Sequence, residues 1–145
     1  MKKAFHYEQV IELPVEKAYR LAADVSSYPR FISNVKSVKV LSEKNNQKIV
    51  EMIFNHPLLS VKHVGEATFE SNKSIRIKQI EGLGKSLIIT WQFEPENAHT
   101  RVVLHMVFET DSRFMGLFAF KAIENIAQAI MQDFLKEAKR ISIKN

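Results

Sequence analysis

Residues 112–141, SRFMGLFAFKAIENIAQAIMQDFLKEAKRI, decide the fold, because they form the longest stretch of the chain with a helical repeat. Apolar residues recur three or four positions apart, and polar residues such as Glu124, Gln128 and Gln132 occupy the opposite face. The apolar positions are Leu117, Phe120, Ile123, Ala127, Ile130, Phe134, Ala138 and Ile141. The pattern predicts one amphipathic helix of about 28 residues and about 40 Å. The rest of the chain must supply the apolar surface that this helix covers.

The chain before this helix consists of short extended segments, rich in Val, Ile, Thr and aromatic residues, separated by turn signals. The predicted strands lie near 4–13, 35–43, 47–55, 60–70, 74–81, 86–94 and 101–110. Their hairpin-length connections predict antiparallel pairing.

Two short helices are predicted between the first and second strands. Pro14 suits a first helical turn, and apolar residues at helical spacing follow it as far as about Asp24. Ser26 or Ser27 is expected to cap a second helical turn that runs to Ile32. The predicted fold class is therefore α+β: a seven-stranded, curved antiparallel sheet around a long C-terminal helix, as one domain over residues 1–145.

Composition excludes several classes of function. The 145 residues contain no cysteine, so the chain has no disulfide, no thiolate metal site and no cysteine nucleophile. The formal charge of +5 comes from scattered lysines and arginines, which favours solubility over a nucleic-acid footprint, and we expect no DNA partner. The N-terminus turns polar where the apolar core of a secretion signal would follow, and the apolar run 114–120 is far shorter than a membrane span. A cytoplasmic protein is predicted.

No catalytic or metal motif stands out in the sequence. Nucleophile-elbow, zinc-protease and phosphate-loop patterns are absent, and the five histidines lack the spacing of metal ligands. The sequence therefore predicts no catalytic residue, no metal and no cofactor other than a bound apolar molecule. It leaves open whether the protein is an enzyme and favours that it is not.

Four stretches carry a resemblance to a known group of proteins: Leu13–Tyr19, Asp24–Ile32, Trp91–Pro95 and Thr100–Val103. In this order and spacing the chain resembles the START and Bet v 1-like superfamily, which has the helix-grip fold. Within it, the Tyr-Pro-x-Phe-Ile stretch at residues 28–32 is similar to the branch of the coenzyme Q-binding proteins and the ribosome-association toxins, whose relatives include polyketide cyclase-like proteins. The resemblance implies a cavity between the sheet and the long helix that holds a lipid, an isoprenoid quinone or a related apolar ligand.

Alternation along the strands and the helical repeat select the side chains expected to face this cavity. His63 and Gln79 stand out as polar residues on otherwise apolar faces, so either could orient a quinone carbonyl or a lipid headgroup, although a histidine bonded to its neighbours is the more frequent case. Contact with a ligand and packing in a dry core are equally compatible with the apolar members. The candidate ligand-binding residues are Met52, Phe54, His63, Phe69, Ile77, Gln79, Ile89, Trp91, Leu104, Met106, Phe108, Phe120, Ile123 and Ala127.

Residues Phe114–Phe120 are apolar all round the helix, at the place where the superfamily has a cavity mouth. One interpretation is a lip that contacts a membrane during ligand loading, with Arg113 and Lys121 beside anionic headgroups. The other, which the sequence favours slightly, is ordinary packing under the early helices.

Three functions remain open at this point. The first is binding or transport of a hydrophobic small molecule. The second is a ribosome-interacting regulator, which the likeness to the association toxins implies, with lysine and arginine contacting phosphates. The third is a cyclase- or aromatase-like enzyme in which His63 or Gln79 polarises a carbonyl.

Overall fold

The computed structural model describes residues 1–144 and contains the seven predicted strands. Several strands alternate between more and less buried residues, so one face packs inward and the other meets solvent. The strands are β1 Lys2–Ile11, β2 Val35–Lys44, β3 Gln47–His56, β4 Leu59–Glu70, β5 Ser74–Glu81, β6 Ser86–Glu96 and β7 His99–Glu109. They form one antiparallel sheet in the order β1-β7-β6-β5-β4-β3-β2.

Tight turns at one end of the sheet set this order. Asn45, Asn72 and Asn97 adopt positive φ angles of 55°, 61° and 60°, a conformation that asparagine tolerates better than most residues. They lie in the turns that join β2 to β3, β4 to β5 and β6 to β7. Neighbouring strands in the sequence therefore become neighbours in the sheet, while β1 pairs with the last strand, β7.

The helices also follow the predicted order. After β1 come α1, Val15–Ala23, a 3₁₀ turn at Val25–Ser27 and α2, Tyr28–Phe31. The last helix, α3, spans Arg113–Lys144, so its 32 residues exceed the predicted length. The predicted serine cap is wrong, because the Ser27 hydroxyl donates to the Asp24 carboxylate at 2.6 Å instead of capping α2. The fold is an α+β helix-grip fold.

The stretches that carried the family resemblance meet in space. The Thr100 hydroxyl, at the start of β7, donates to the Leu13 carbonyl at 2.7 Å and so fixes the junction between β1 and α1. The Tyr28 hydroxyl donates to the carbonyl of Ala22 and ties α2 to α1. Both contacts are buried, and the first joins segments 87 positions apart, so Thr100 and Tyr28 each have a structural role.

Hydrogen bonds and an ion pair attach the C-terminal half of α3 to α2 and the residues that follow it. Arg30 of α2 contacts the buried Glu137 at 2.8 Å, and the backbone and hydroxyl of Ser33 donate to Asp133 at 2.8 and 2.9 Å. Nearer the N-terminus, α3 packs mainly through apolar side chains, for example Phe120 against Phe108 with ring centroids 5.6 Å apart, and Asn125 makes a longer polar contact with His56 of β3 at 3.4 Å. The charged contacts of α3 with the early helices thus lie in its C-terminal half.

By length and composition alone, α3 would suffice to cross a bilayer. Core helices often satisfy the same criteria. In this structure the inner face of α3, which includes Ala127, Phe134 and Ala138, is buried against the rest of the protein.

Candidate ligand-binding site

A small, partly open cavity of about 40 Å³ lies between the sheet and α3. Its walls come from the starts and ends of the central strands, from the β5–β6 loop and from the N-terminal half of α3. The lining residues are Phe54, Leu59, Val61, His63, Gln79, Leu83, Leu87, Ile89, Met106, Ile123 and Ile126. None of these residues carries a charge at neutral pH, so an apolar interior surrounds two polar side chains.

A second cavity of about 20 Å³ lies deeper in the core. Phe54, Ile89 and Met106 line both cavities and therefore form the partition between them. The remaining walls of the deeper cavity are Tyr28, Val35, Met52, Ile77, Trp91, Leu104 and Ile130. Rotation of the flexible Met106 side chain is the simplest way to join the two spaces.

His63, on β4, points into the larger cavity and is 3% exposed. Its Nε2 atom is buried and has no hydrogen-bond partner. Burial lowers the pKa of His63 to about 4, because the charged imidazolium would lose its hydration. At neutral pH the ring is therefore uncharged and carries a single N–H.

Gln79, on β5, is the second polar residue of the cavity. Its Nε2 donates a hydrogen bond to the Leu83 carbonyl at 3.1 Å, which fixes the orientation of the amide. Its Oε1 is buried without a partner. Unsatisfied buried polar atoms are rare in folded proteins, so two of them in one cavity mark a place where a polar group can be received.

Glycines bring the β5–β6 loop close to both polar residues. A Cβ added at Gly82 would lie 2.5 Å from Gln79 Oε1 and 3.3 Å from the nearest carbon of His63. The two side chains therefore converge on the space beside Gly82. Gly84 has a φ of 68°, and a Cβ there would lie 2.6 Å from Phe108, so the loop can close over the cavity only with glycine at this position.

Ten of the candidate residues line one or both cavities. Those that line the larger cavity are Phe54, His63, Gln79, Ile89, Met106 and Ile123. Those that line only the deeper cavity are Met52, Ile77, Trp91 and Leu104.

Four candidates lie elsewhere. Phe108 and Phe120 pack against each other, Ala127 is fully buried, and Phe69 lies beneath Lys48, whose ammonium is 5.3 Å from its ring. They line neither cavity. The sequence pattern selected them because they were expected to face inward, and inward orientation does not distinguish a core residue from one that lines a cavity.

Several lining residues were missed at the sequence level. Val61 lies two residues before His63 on β4, and Leu87 lies two residues before Ile89 on β6, so each faces the same side as its partner. Ile126 lies three residues after Ile123, about one turn further along α3. The same periodicity would have identified these three. Leu83 lies in a glycine-rich loop, for which periodicity gives no orientation.

The Phe114–Phe118 segment of α3 is exposed, so the expectation that it packs under the early helices is wrong. Phe114, Leu117, Phe118 and Met115 are 80, 71, 60 and 50% exposed. The early helices instead contact the sheet and the C-terminal half of α3, through pairs such as Arg30 and Glu137. We refer to Phe114, Met115, Leu117 and Phe118 as the apolar lip.

A separate surface cleft of about 310 Å³ lies between α1, α2 and the end of α3. Lys17, Arg20 and Arg30 line it together with a single carboxylate, that of Asp24. Arg30 is held by Glu137, whereas Asp24 accepts a hydrogen bond from Ser27. We refer to this surface as the basic cleft.

A known protein family matches most of this chain. The family described as polyketide cyclase / dehydrase and lipid transport matches residues 11–135. The chain belongs to this family. Among curated members, the ribosome association toxin RatA of Escherichia coli K12 is 25% identical over 133 residues, which cover 91% of this chain and 84% of the toxin.

Several solved structures have the same fold and superpose on nearly the whole of this chain. The Zhui aromatase/cyclase from a Streptomyces species gives a TM-score of 0.87 at 16% identity and covers 97% of this chain and 95% of its own. A START superfamily protein from Mycobacterium smegmatis gives 0.82 at 12% identity, with 95% and 98% covered. These likenesses establish the fold, while the family match and the likeness to the toxin confirm the superfamily and branch inferred from the motifs.

Proposed function

We propose that this protein binds an apolar small molecule between the sheet and α3, with the polar end of the ligand at His63 and Gln79. The observation that carries the proposal is the pair of unpartnered atoms, His63 Nε2 and Gln79 Oε1, in an otherwise apolar cavity. Each buried polar atom without a hydrogen bond costs about 1–3 kcal/mol. A ligand that pairs with them recovers this free energy. A lipid or an isoprenoid quinone is the ligand class that the family resemblance favours.

The cavity must enlarge before it can hold such a ligand. Its volume of about 40 Å³ has room for a few water molecules at most, since one water needs at least about 10–15 Å³. The N-terminal half of α3 and the β5–β6 loop form its outer wall. Because the strongest polar bonds of α3 lie at Asp133 and Glu137, the N-terminal half can move outward while the C-terminal half stays in place.

The apolar lip supports loading from a membrane. It lies on the N-terminal half of α3, and Arg113 and Lys121 flank it on the same helix. Lys3 reaches over the Phe120 ring at 5.9 Å and adds a third cation to this end of the molecule. Aromatic and aliphatic side chains between cations suit the boundary between anionic headgroups and acyl chains.

Native mass spectrometry with organic extraction tests the binding function. We expect a stoichiometric apolar passenger on the wild type, or its uptake from an offered lipid extract. Ile123→Phe narrows the cavity and should abolish retention. Ile80→Phe, the same exchange at an exposed position outside both cavities, should retain it. A folded wild type that neither carries nor takes up any apolar molecule would contradict the proposal.

Association with the ribosome is the second candidate function. The likeness to the association toxin over 91% of the chain favours it, and the basic cleft offers cations for phosphate contacts. This function would place the protein in the cytoplasm. Cosedimentation with ribosomal subunits should weaken steeply as salt rises and fall in a Lys17→Gln, Arg20→Gln double variant. The matched control is Lys36→Gln, Lys39→Gln on β2, where both side chains are exposed. Equal loss in both variants would refute a role of the cleft.

A further inference from the structure

We infer that the ligand's polar end is a hydroxyl group, as in a phenol, a hydroquinol, a sterol or a long-chain alcohol, and not a carbonyl or an ionised acid. The inference rests on the proposed binding function and narrows its ligand class: it keeps lipids with a hydroxyl group and the reduced quinol, and it excludes the oxidised quinone. It follows from the different hydrogen-bonding capacities of the two unpartnered atoms, His63 Nε2 and Gln79 Oε1.

Gln79 requires a donor from the ligand. Its amide nitrogen already donates to the Leu83 carbonyl at 3.1 Å, and the reversed amide would place two oxygens against each other there. The oxygen that faces the cavity can therefore only accept. A ketone, a quinone or an ester has no proton to give it, and its own oxygen would meet the amide oxygen with like partial charge.

His63 supplies the complementary donor. As a neutral imidazole it carries one N–H, and when the hydrogen is on Nε2 this atom donates into the cavity. A hydroxyl oxygen can accept from His63 Nε2 and donate its own hydrogen to Gln79 Oε1. One hydroxyl group thus satisfies both atoms, whereas a carbonyl satisfies only the histidine.

The position of Gly82 shows that one small group can reach both residues. A Cβ on Gly82 would lie 2.5 Å from Gln79 Oε1 and 3.3 Å from His63 Cδ2, so the two side chains are close enough together for one hydroxyl group to lie between them. The side chains around this point carry no charge in the part of the chain that the structure describes, so a carboxylate or phosphate would lose its hydration without gaining a counterion.

A matched pair of probes tests the inference: 4-octylphenol and 4-octylanisole. They share the octylbenzene skeleton and an oxygen acceptor, but in the methyl ether a methyl group replaces the hydroxyl hydrogen, so it has no hydrogen to donate. Titration calorimetry gives the affinities. Fluorescence of Trp91, the single tryptophan, reports occupation because this residue lines the deeper cavity. We expect the wild type to bind the phenol about 5- to 150-fold more tightly, the range that follows from one unpaired acceptor.

Two variants locate the effect. Gln79→Met removes the acceptor and should bring the two affinities within about twofold, while Gln92→Met, at an exposed position on β6, should keep the wild-type preference. Gly82→Ala fills the space beside both polar atoms and should weaken phenol binding, whereas Gly116→Ala on α3 should not.

The outcomes separate this inference from the binding function. Equal or tighter binding of the anisole by the wild type would overturn the hydroxyl assignment and leave the binding function in place. A phenol preference that survives Gln79→Met would also overturn it. If neither probe binds and the native protein carries no passenger, both proposals fail.

Discussion

Replacing the Glu137 carboxylate by an amide should lower the free energy of unfolding. Its carboxylate is 6% exposed and accepts hydrogen bonds from Arg140 Nε and a terminal nitrogen of Arg140, each at 2.8 Å. Arg30 approaches it at 2.8 Å from α2. Hydrogen bonds from Arg140, and then those from Arg30, hold the pKa of Glu137 at about 2, although burial acts in the opposite direction. Glu137→Gln preserves the shape and removes the charge.

The magnitude follows from the pKa. Lowering a carboxyl pKa from 4.5 to about 2 corresponds to a stabilisation of at most about 3 kcal/mol at neutral pH, at 1.36 kcal/mol per pH unit. The two guanidinium groups are 57% and 45% exposed, so water screens the attraction. We therefore expect Glu137→Gln to lose about 2 kcal/mol, or roughly 7 °C in Tm for a chain of this length.

The pH dependence gives the stricter test. Because the folded pKa lies below the unfolded one, the stabilisation is complete above about pH 4.5 and disappears as the pH falls towards 2. Urea unfolding of the wild type and Glu137→Gln at pH 7 and pH 3 measures this. The difference should shrink at low pH, and Glu12→Gln, at an exposed position, should show little difference at either. A difference that is the same at both pH values, or no difference at pH 7, would refute the electrostatic explanation.

Three further predictions concern the cavity, its loop and the lip. Since burial lowers the pKa of His63 to about 4, the unfolded chain takes up its proton first as the pH falls below 6.5, so the wild type should lose up to about 3 kcal/mol by pH 4. Urea unfolding of His63→Leu should lack this loss, and matching pH profiles would contradict it. Gly84→Ala should lower Tm, because the added Cβ meets Phe108 at a positive φ, while Gly116→Ala should leave Tm unchanged or raise it; the reverse order would contradict the loop geometry. Leu117→Ser with Phe118→Ser should reduce cosedimentation with anionic vesicles at unchanged Tm, since both side chains are exposed; undiminished sedimentation would remove the lip from membrane loading.

Periodicity predicted the elements of the fold well, because strands and helices each impose a fixed spacing on the residues that face the core. Alternation identified His63, Ile89 and Met106 as inward-facing, and the helical repeat did the same for Ile123. The length of α3 was underestimated, since the apolar repeat ends at Ile141 and nothing in the three residues after it indicates that the backbone continues as a helix.

The cavity itself could not be predicted from spacing. Phe108 and Phe54 both face inward, but Phe108 is covered by Phe120 while Phe54 borders both cavities, and only the packing of α3 decides between them. The orientation of the Gln79 amide depends on the carbonyl of Leu83, a loop residue whose position follows from Gly82 and Gly84. The exposure of Phe114 depends on where the early helices pack, which is a tertiary property.

The pairing of β1 with β7 has a consequence for the order in which the protein folds. Phe5 lies opposite Met106, so the contact joins residues about 100 positions apart, whereas β2 to β7 can form as successive local hairpins. During synthesis, β1 therefore has to remain unpaired until β7 has been made. The unpaired β1 carries charged side chains, namely Lys2, Lys3 and Glu8. These charges oppose edge-to-edge aggregation of the strand until β7 is available to pair with it.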